Sequence, residues 1–363
     1  MKLTPEEALR FTKRSVALLV AWPPPIDASK KKLFLLDVYL CASFLCAQTT
    51  LLMLLNGMYL HRNDFEILIQ STCVAIAIIQ MSIKMMGCRM RRTSLQVEIK
   101  NYIFKRAKPY EKAILEKYVS RCAVLHLSLT FGFYLAGTNI VMGPIFLSQS
   151  LPTFAAYPFD VESHPVYEIV YIQQAFTCVQ ASTGATIDCQ VALLLWFAGA
   201  RFEMLEIEIA NAQDEYDLKR CILKHRHILS YAEKVVKSVR FVILATVCIT
   251  TVLISDSVTV KFQFLVLDIV AIIQLFLNSY PAENLIEMST AIGSAAYGLN
   301  WIDESRKAWK NVCFIIQRSQ KPVIISIPGF IPALSLTYYM SVYIQFLVCR
   351  TMISPIIFIF KYF

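Results

Sequence analysis

Charge is scarce in this sequence: Asp, Glu, Lys and Arg make up 17% of its 363 residues, while 56% are hydrophobic. Soluble domains carry about 25% charged residues, so this imbalance, with a mean hydropathy of +0.53, excludes a soluble chain of one or two domains. Catalytic signatures are missing as well. The five histidines, His61, His126, His164, His225 and His227, include no H-E-x-x-H arrangement, and side chains two apart on a helix, such as His225 and His227, diverge by about 200°. No P-loop, G-x-S-x-G or G-x-G-x-x-G occurs, so no enzyme, cofactor or metal site is expected. The 11 cysteines form no C-x-x-C pair and lie mostly in apolar runs, where cysteine acts as a small hydrophobe. There is no Asn-x-Ser/Thr acceptor, which argues against large glycosylated outer structure. The apolar run Val16 to Trp22 is too short for a secretory leader core and runs into Pro23, Pro24 and Pro25. The net charge of +9 comes without a basic stripe interleaved with aromatics, so no nucleic-acid partner is expected.

What is present is a series of long uncharged stretches separated by charged ones. A backbone in hydrocarbon must satisfy its own hydrogen bonds, so each apolar run of about 20 residues predicts a helix. Seven runs qualify: Leu33 to Tyr59, Phe65 to Met86, Cys122 to Leu147, Val166 to Ala200, Phe241 to Thr259, Phe262 to Tyr280 and Val323 to Cys349. All but Arg62, Lys261, Arg350 and Lys361 of the 35 Lys and Arg fall on one side when the segments alternate. Cationic residues are retained on the cytoplasmic face, so the N-terminus is expected in the cytosol and the C-terminus outside. That is the reverse of a G-protein-coupled receptor, and Asn278-Ser279-Tyr280-Pro281 is only a scrambled likeness of that class's N-P-x-x-Y.

The expected class is therefore an all-α polytopic membrane protein with seven transmembrane helices. Its divisions are a cytosolic segment 1–32, spans one to four at 33–200, a cytosolic anchor helix at 201–240, and spans five and six at 241–280. An anchor segment at 281–322, a seventh helix at 323–351 and a short outer tail at 352–363 complete it. Leu218, Ile222, His225, Leu229, Ala232, Val236 and Val239 recur at steps of three and four, the mark of an amphipathic helix. Trp301, Ala308, Val312 and Ile315 repeat that pattern, so a cytosolic helical bundle is expected.

Ionisable groups inside spans are costly and mark function or pairing. Asp188 sits among Gln180, Ser182, Thr183, Thr186 and Gln190, a polar stripe that reads first as an interhelical network. Asp268 reaches Lys261 only by i, i+7 stacking. Lys84 lies near the end of its span, where it can snorkel. Phe131, Tyr134 and Thr138 fall on one face of the third span. Facing them are expected Ser71 and Val74 of the second span, Phe176 and Gln180 of the fourth, and Phe264 of the sixth, giving a mostly apolar pocket for small organic ligands. In the seventh span, Ser335, Thr337, Ser341 and Gln345 alternate with bulky apolar residues, so one face can line water if several copies surround an axis.

The last third contains Ala282-Glu283-Asn284-Leu285, Glu287, Ala295, Tyr297, Trp301, Arg306-Lys307, Ile315-Ile316 and Arg318-Ser319-Gln320-Lys321-Pro322, followed by the stretch Leu334 to Ser341. In order and spacing these resemble the C-terminal signature of the insect odorant receptor family and the start of its pore helix. Ala21-Trp22-Pro23, Thr186-Ile187-Asp188 and Phe202-Glu203-Met204-Leu205 agree more weakly. The resemblance implies a seven-helix subunit that assembles as a tetramer with the odorant receptor co-receptor, through an anchor that includes Tyr297, Trp301 and Arg318. It implies a small volatile organic ligand bound among the second, third, fourth and sixth helices. A nonselective channel for monovalent and divalent cations follows, lined by the last helix, with Tyr343, Gln345, Val348 as gate residue and Thr351 as selectivity residue. Surrounding lipid and the plasma membrane of a sensory dendrite complete the expectation. Between Ser341 and Cys349 the chain is about one helical turn shorter than the family pattern. A gustatory-type receptor is the neighbouring alternative; a transporter needs broken midplane helices and an internal repeat, neither of which is found.

Overall fold

The computed structural model describes residues 4–22, 24, 28–90, 109–146, 149–255, 265–299 and 306–351. These are mostly helical: α1 (Pro5–Ser15), α2 (Lys30–Leu60), α3 (Phe65–Met90), α4 (Pro109–Val141), α5 (Val166–Ala210), α6 (Glu215–Ser255), α7 (Leu265–Tyr297), α8 (Arg306–Ser319) and α9 (Leu336–Thr351). Among the described residues, five helices are long and apolar enough to cross a membrane, within α2, α3, α4, α5 and α7. At about 1.5 Å per residue, the 45 residues of α5 reach far past a hydrocarbon core of about 30 Å.

Helix α5 is the hub. It packs against α2, α3, α4, α6 and α7, and from Ser182 to Phe202 nearly every side chain is buried, as expected of a helix that is apolar all round. Small residues permit the close approaches. A Cβ on Gly184 would lie 2.7 Å from the Cβ of Met81 on α3, so this crossing depends on the missing side chain.

Two expected spans run into neighbouring segments. The fifth is the C-terminal part of α6, whose N-terminal part is the amphipathic anchor helix; the two form one rod. The sixth does not stop at Tyr280, since α7 continues through Pro281 to Tyr297. The basic pole of the molecule, where α5, α6, α7 and α8 meet, has a core that includes Phe202, Leu218, Tyr231, Ala232, Val236, Leu285, Ala308, Val312 and Ile315. Ion pairs tie its rim: Lys224 reaches both carboxylate oxygens of Glu208 at 2.5 and 2.6 Å, and Lys117 meets Glu203 at 2.6 Å. His225 is buried there against Phe202, and burial first, then the nearby Arg318 cation, lowers its pKa to about 4.

The seventh expected helix is corrected at its start. Residues 323–335 are irregular, and α9 begins at Leu336. Ile327 and Ile331 exchange backbone hydrogen bonds of 2.8 and 2.9 Å around Pro328 and Gly329, which has φ +81°. Pro328 and Pro332 lack amide donors and Gly329 takes the left-handed conformation, so an apolar run that looks continuous cannot be one helix. Ser335 caps α9 by accepting from Tyr338 N–H at 3.1 Å, and the Glu283 carboxylate accepts from Leu336 N–H at 2.8 Å.

The N-terminal segment enters the helical body. Thr4 and Glu7 form a capping box with Pro5 at the first helical position of α1. At the far end, the Ser15 carbonyl accepts from Tyr134 at 2.7 Å and Thr186 at 3.2 Å, the Leu18 carbonyl from Tyr39 at 2.8 Å and the Ala21 carbonyl from Gln190 at 3.4 Å. Val16 and Leu19 are fully buried among α2, α4 and α5.

Candidate ligand cavity

Between α3, α4, α5 and α7, in the half away from the basic pole, lies a cavity of about 330 Å³. Its walls are apolar and built from small residues: Ala77 on α3, Ala136 and Gly137 on α4, Ala181 and Ala185 on α5, and Ala271 on α7. Space arises because these side chains are short while the helix backbones are held apart by bulkier neighbours. Gly137 marks the tightest contact, since a Cβ there would lie 2.1 Å from Ser182 Oγ.

The few polar groups of this chamber are paired. Gln80 donates to Gln274 across α3 and α7 at 3.0 Å, and the hydroxyls of Thr50 and Thr177 lie 3.1 Å apart. One turn beneath Gln80 and Gln274, Lys84 Nζ meets Asp188 Oδ2 at 2.6 Å, with both side chains fully buried. The other carboxylate oxygen accepts from Thr246 at 3.1 Å and Asn278 at 3.2 Å, so one charge pair joins α3, α5, α6 and α7. Lys84 therefore does not snorkel; Asp188 holds it inside. Low surrounding polarity makes such a pair costly to break.

A second chamber of about 460 Å³ adjoins the first and shares Cys73, Val74, Ile140 and Thr153 with it. It is more polar, with Gln70, Ser71, Asn139 and Gln149 in its lining. Residues 149–157 roof it. Gln174 Oε1 accepts from both Thr153 N–H and Thr153 Oγ at 2.9 Å, and the Ala156 amide donates to the Met53 carbonyl at 2.9 Å. The roof rests on Gly57, where a Cβ would come within 2.1 Å of the Phe154 carbonyl.

Of the residues singled out from sequence, Val74 lines both chambers and Ser71 the second. The α4 face is corrected. Phe131 and Tyr134 point to the other side of the helix, into a groove against Phe11, Arg14 and Ser15 of α1. Phe131 is 70% exposed, and Thr138 is exposed with its hydroxyl returned to the Tyr134 carbonyl. Phe133, Ala136, Gly137 and Ile140 face the cavity instead. Gln180 is buried against Ser43 of α2, and half-buried Phe176 lines neither chamber. Phe264, Trp301 and the Asp268 side chain lie outside the described residues. The aromatics were misleading because a span's bulky apolar residues can face lipid, whereas interhelical space is bounded by small ones. Clustered small residues (Ala77, Ala136 and Gly137, Ala181, Ala185) were the usable signal. Gln80, Gln274 and Gln149 were missed because nothing in the sequence pairs them.

On α9, Tyr343 is half-buried while Gln345 and Val348 are exposed, and Thr351 ends the helix. One side of α9 packs on α6 and α7; Met340, Ile344, Leu347 and Val348 stand uncovered on the rest. An aromatic series reaches it from the hub: Tyr118, Trp196, Tyr280, Phe276, Tyr339 and Tyr343, with successive ring centroids 5.6, 5.0, 5.7, 5.4 and 6.1 Å apart. At the basic pole, Tyr297 is exposed at the end of α7 and Arg318 donates to the Lys321 carbonyl at 3.1 Å.

Helix-rich architecture and five apolar helices long enough to cross a membrane among the described residues, with a half-open apolar chamber between them, fit a polytopic membrane protein. The 7tm odorant receptor family model matches residues 64–344, and the chain belongs to that family. It is 25% identical to putative odorant receptor 92a of Drosophila melanogaster over 264 residues, covering 64% of each chain. It is 23% identical to odorant receptor Or2 of Anopheles gambiae, covering 61% of this chain and 66% of that one. The chain thus spans a little under two thirds of the length of these relatives. In fold it is similar to the insect olfactory receptor OR5 from Machilis hrabei, at 18% identity. The TM-score is 0.74 to the structure in complex with eugenol, over 97% of this chain and 99% of that one, and 0.75 to another structure of the same receptor.

Proposed function

We propose that this chain is an odorant-binding subunit of a cation channel. A small volatile organic molecule enters the apolar chamber and shifts the population of a channel assembled with the odorant receptor co-receptor toward its open state. The observation that carries this reading is the mostly apolar cavity of about 330 Å³ between four helices, with alanine and glycine prominent in its lining, in a chain of the odorant receptor family. It is within the range of small-molecule sites and its walls suit an apolar body. The eugenol complex of the Machilis receptor supports a ligand of that size.

The uncovered faces of α9 support a role at a shared axis, where Gln345, Val348 and Thr351 line a tetrameric pore for monovalent and divalent cations. Residues at the basic pole, including Tyr297, Trp301 and Arg318, form the subunit anchor. The clustering of Lys and Arg supports a cytosolic basic pole and N-terminus in the plasma membrane, with an outward C-terminus. Whole-cell currents from cells expressing the chain with and without the co-receptor, across an odorant panel, test the reading. Odorant-dependent current only with both subunits is expected. Silence with verified surface delivery overturns it, and termini accessible from the same face of intact cells overturn the topology.

A further inference from the structure

Ser71 is an exception among the helix hydroxyls around the cavity. Thr72, Ser82, Thr177, Ser182 and Thr183 each donate to the carbonyl four residues back, at 2.7 to 3.2 Å. Ser71 is equally buried, at 1% exposure, yet its hydroxyl has no hydrogen-bond partner. Gln149, which lines the same chamber, also carries an unpartnered buried atom, its side-chain carbonyl oxygen Oε1. The Gln149 amide nitrogen is seated over Gly143, where a Cβ would approach it to 2.5 Å. Of the other polar side chains nearby, Gln80 pairs with Gln274, Thr50 with Thr177, Thr153 with Gln174 and Gln70 with Glu66, while Asn139 is exposed. Among the described residues no Asp, Glu, Lys or Arg lines either chamber, so no described side chain there neutralises a carboxylate or an ammonium ion.

We propose that the second chamber is a hydroxyl-selecting subsite: a neutral alcohol or phenol places its apolar body in the first chamber and its hydroxyl between Ser71 and Gln149. This rests on the ligand-binding reading above and adds the ligand's chemical class. Gln149 Oε1 can only accept, so it requires a donor; Ser71 can donate as well as accept. A hydroxyl satisfies both, donating to Gln149 and accepting from Ser71. A ketone or an ether can accept from Ser71 but leaves Gln149 Oε1 desolvated and unbonded. Rejection of analogues that leave a buried polar group unpaired is the stronger form of selectivity in such sites. The expected preference for the hydroxyl compound is roughly 5- to 150-fold.

The test pairs octanol, phenylethanol and menthol each with its own methyl ether, on the full chain. Binding is read first as the thermal shift of the purified protein, which requires no conduction, and then as current in cells that also express the co-receptor. At least one alcohol is expected to bind tighter than its ether by the stated factor. Gln149→Met should bring the pair within about twofold, chiefly by relieving the penalty on the ether, while Ser71→Ala removes a donor that serves both ligands and should weaken alcohol and ether alike. Ser71→Cys should retain part of that affinity, and Ala77→Val, which narrows the other chamber, should weaken both partners without changing their ratio. Equal binding of alcohol and ether in the wild type, no binding of any pair, an unchanged ratio in Gln149→Met, or undiminished binding of both partners in Ser71→Ala overturns the proposal. Selective binding without current supports the subsite while counting against the channel reading.

Discussion

Replacing Lys84 with Met should cost this protein a large share of its stability, and replacing Asp188 as well should return most of it. Lys84 and Asp188 touch at 2.6 Å with no exposure, and the carboxylate also receives Thr246 and Asn278. At an effective dielectric of about 20, the direct attraction is about 6 kcal/mol, but much of it is offset by the cost of removing both charges from water. Deleting one partner leaves the other charge buried and unpaired, for which about 3–5 kcal/mol is typical. That lowers the folded-to-unfolded ratio roughly a hundredfold to several thousandfold. Lys84→Met keeps nearly the length of the side chain, and Asp188→Asn keeps an oxygen facing Thr246. The double variant therefore loses both charges with little change in packing, and should lie within about 1–2 kcal/mol of wild type. Heating each variant in detergent and recording the surviving monodisperse peak by size-exclusion chromatography measures the difference. If Lys84→Met survives like wild type, or the double variant fares no better than either single one, the pair is not the tie described.

Gly57→Ala puts a methyl group against the Phe154 carbonyl, so the roof over the second chamber must lift at a cost in stability; ligand dissociation should quicken several-fold, read from current decay after washout. Glu283→Ala removes the charged acceptor from the first amide of α9. Loss of a charge-assisted bond at a helix N-terminus costs about 1.5–3 kcal/mol, so amide hydrogen exchange should accelerate in residues 336–339 while α8 is unchanged. His225 is held neutral by burial and by Arg318, with its pKa lowered to about 4. The unfolded chain binds the proton first, so stability is full above about pH 6.5 and falls on acidification toward pH 4, by up to about 3 kcal/mol. His225→Leu should flatten the melting temperature between pH 7 and pH 5; an unchanged slope refutes the assignment.

The anchor pattern was legible because a 3.6-residue period sustained over seven positions, from Leu218 to Val239, fixes which side is buried, and Leu218, His225, Leu229, Ala232, Val236 and Val239 are all buried in the structure. Apolar spans were legible because lipid demands length. Rotation about a span's axis was not, since lipid and protein both accept apolar side chains; α4 was read with Phe131 and Tyr134 inward when Ala136 and Gly137 face the cavity. Asp188 reads from the sequence as part of an interhelical network, but Lys84 reads as a snorkelling residue, and their partnership joins residues 104 positions apart. The start of α9 was misplaced because apolar content outweighed Pro328, Gly329 and Pro332.

The seating of α1 has a consequence for synthesis. Ser15 rests on Thr186, a residue 171 positions later, and a ribosome delivers the amino end first. The opening segment must therefore wait unplaced while several helices enter the bilayer, and can dock only when the fifth has arrived. Damage to that segment would spare insertion and surface as late faults in compaction, after the membrane-embedded rods are already in place.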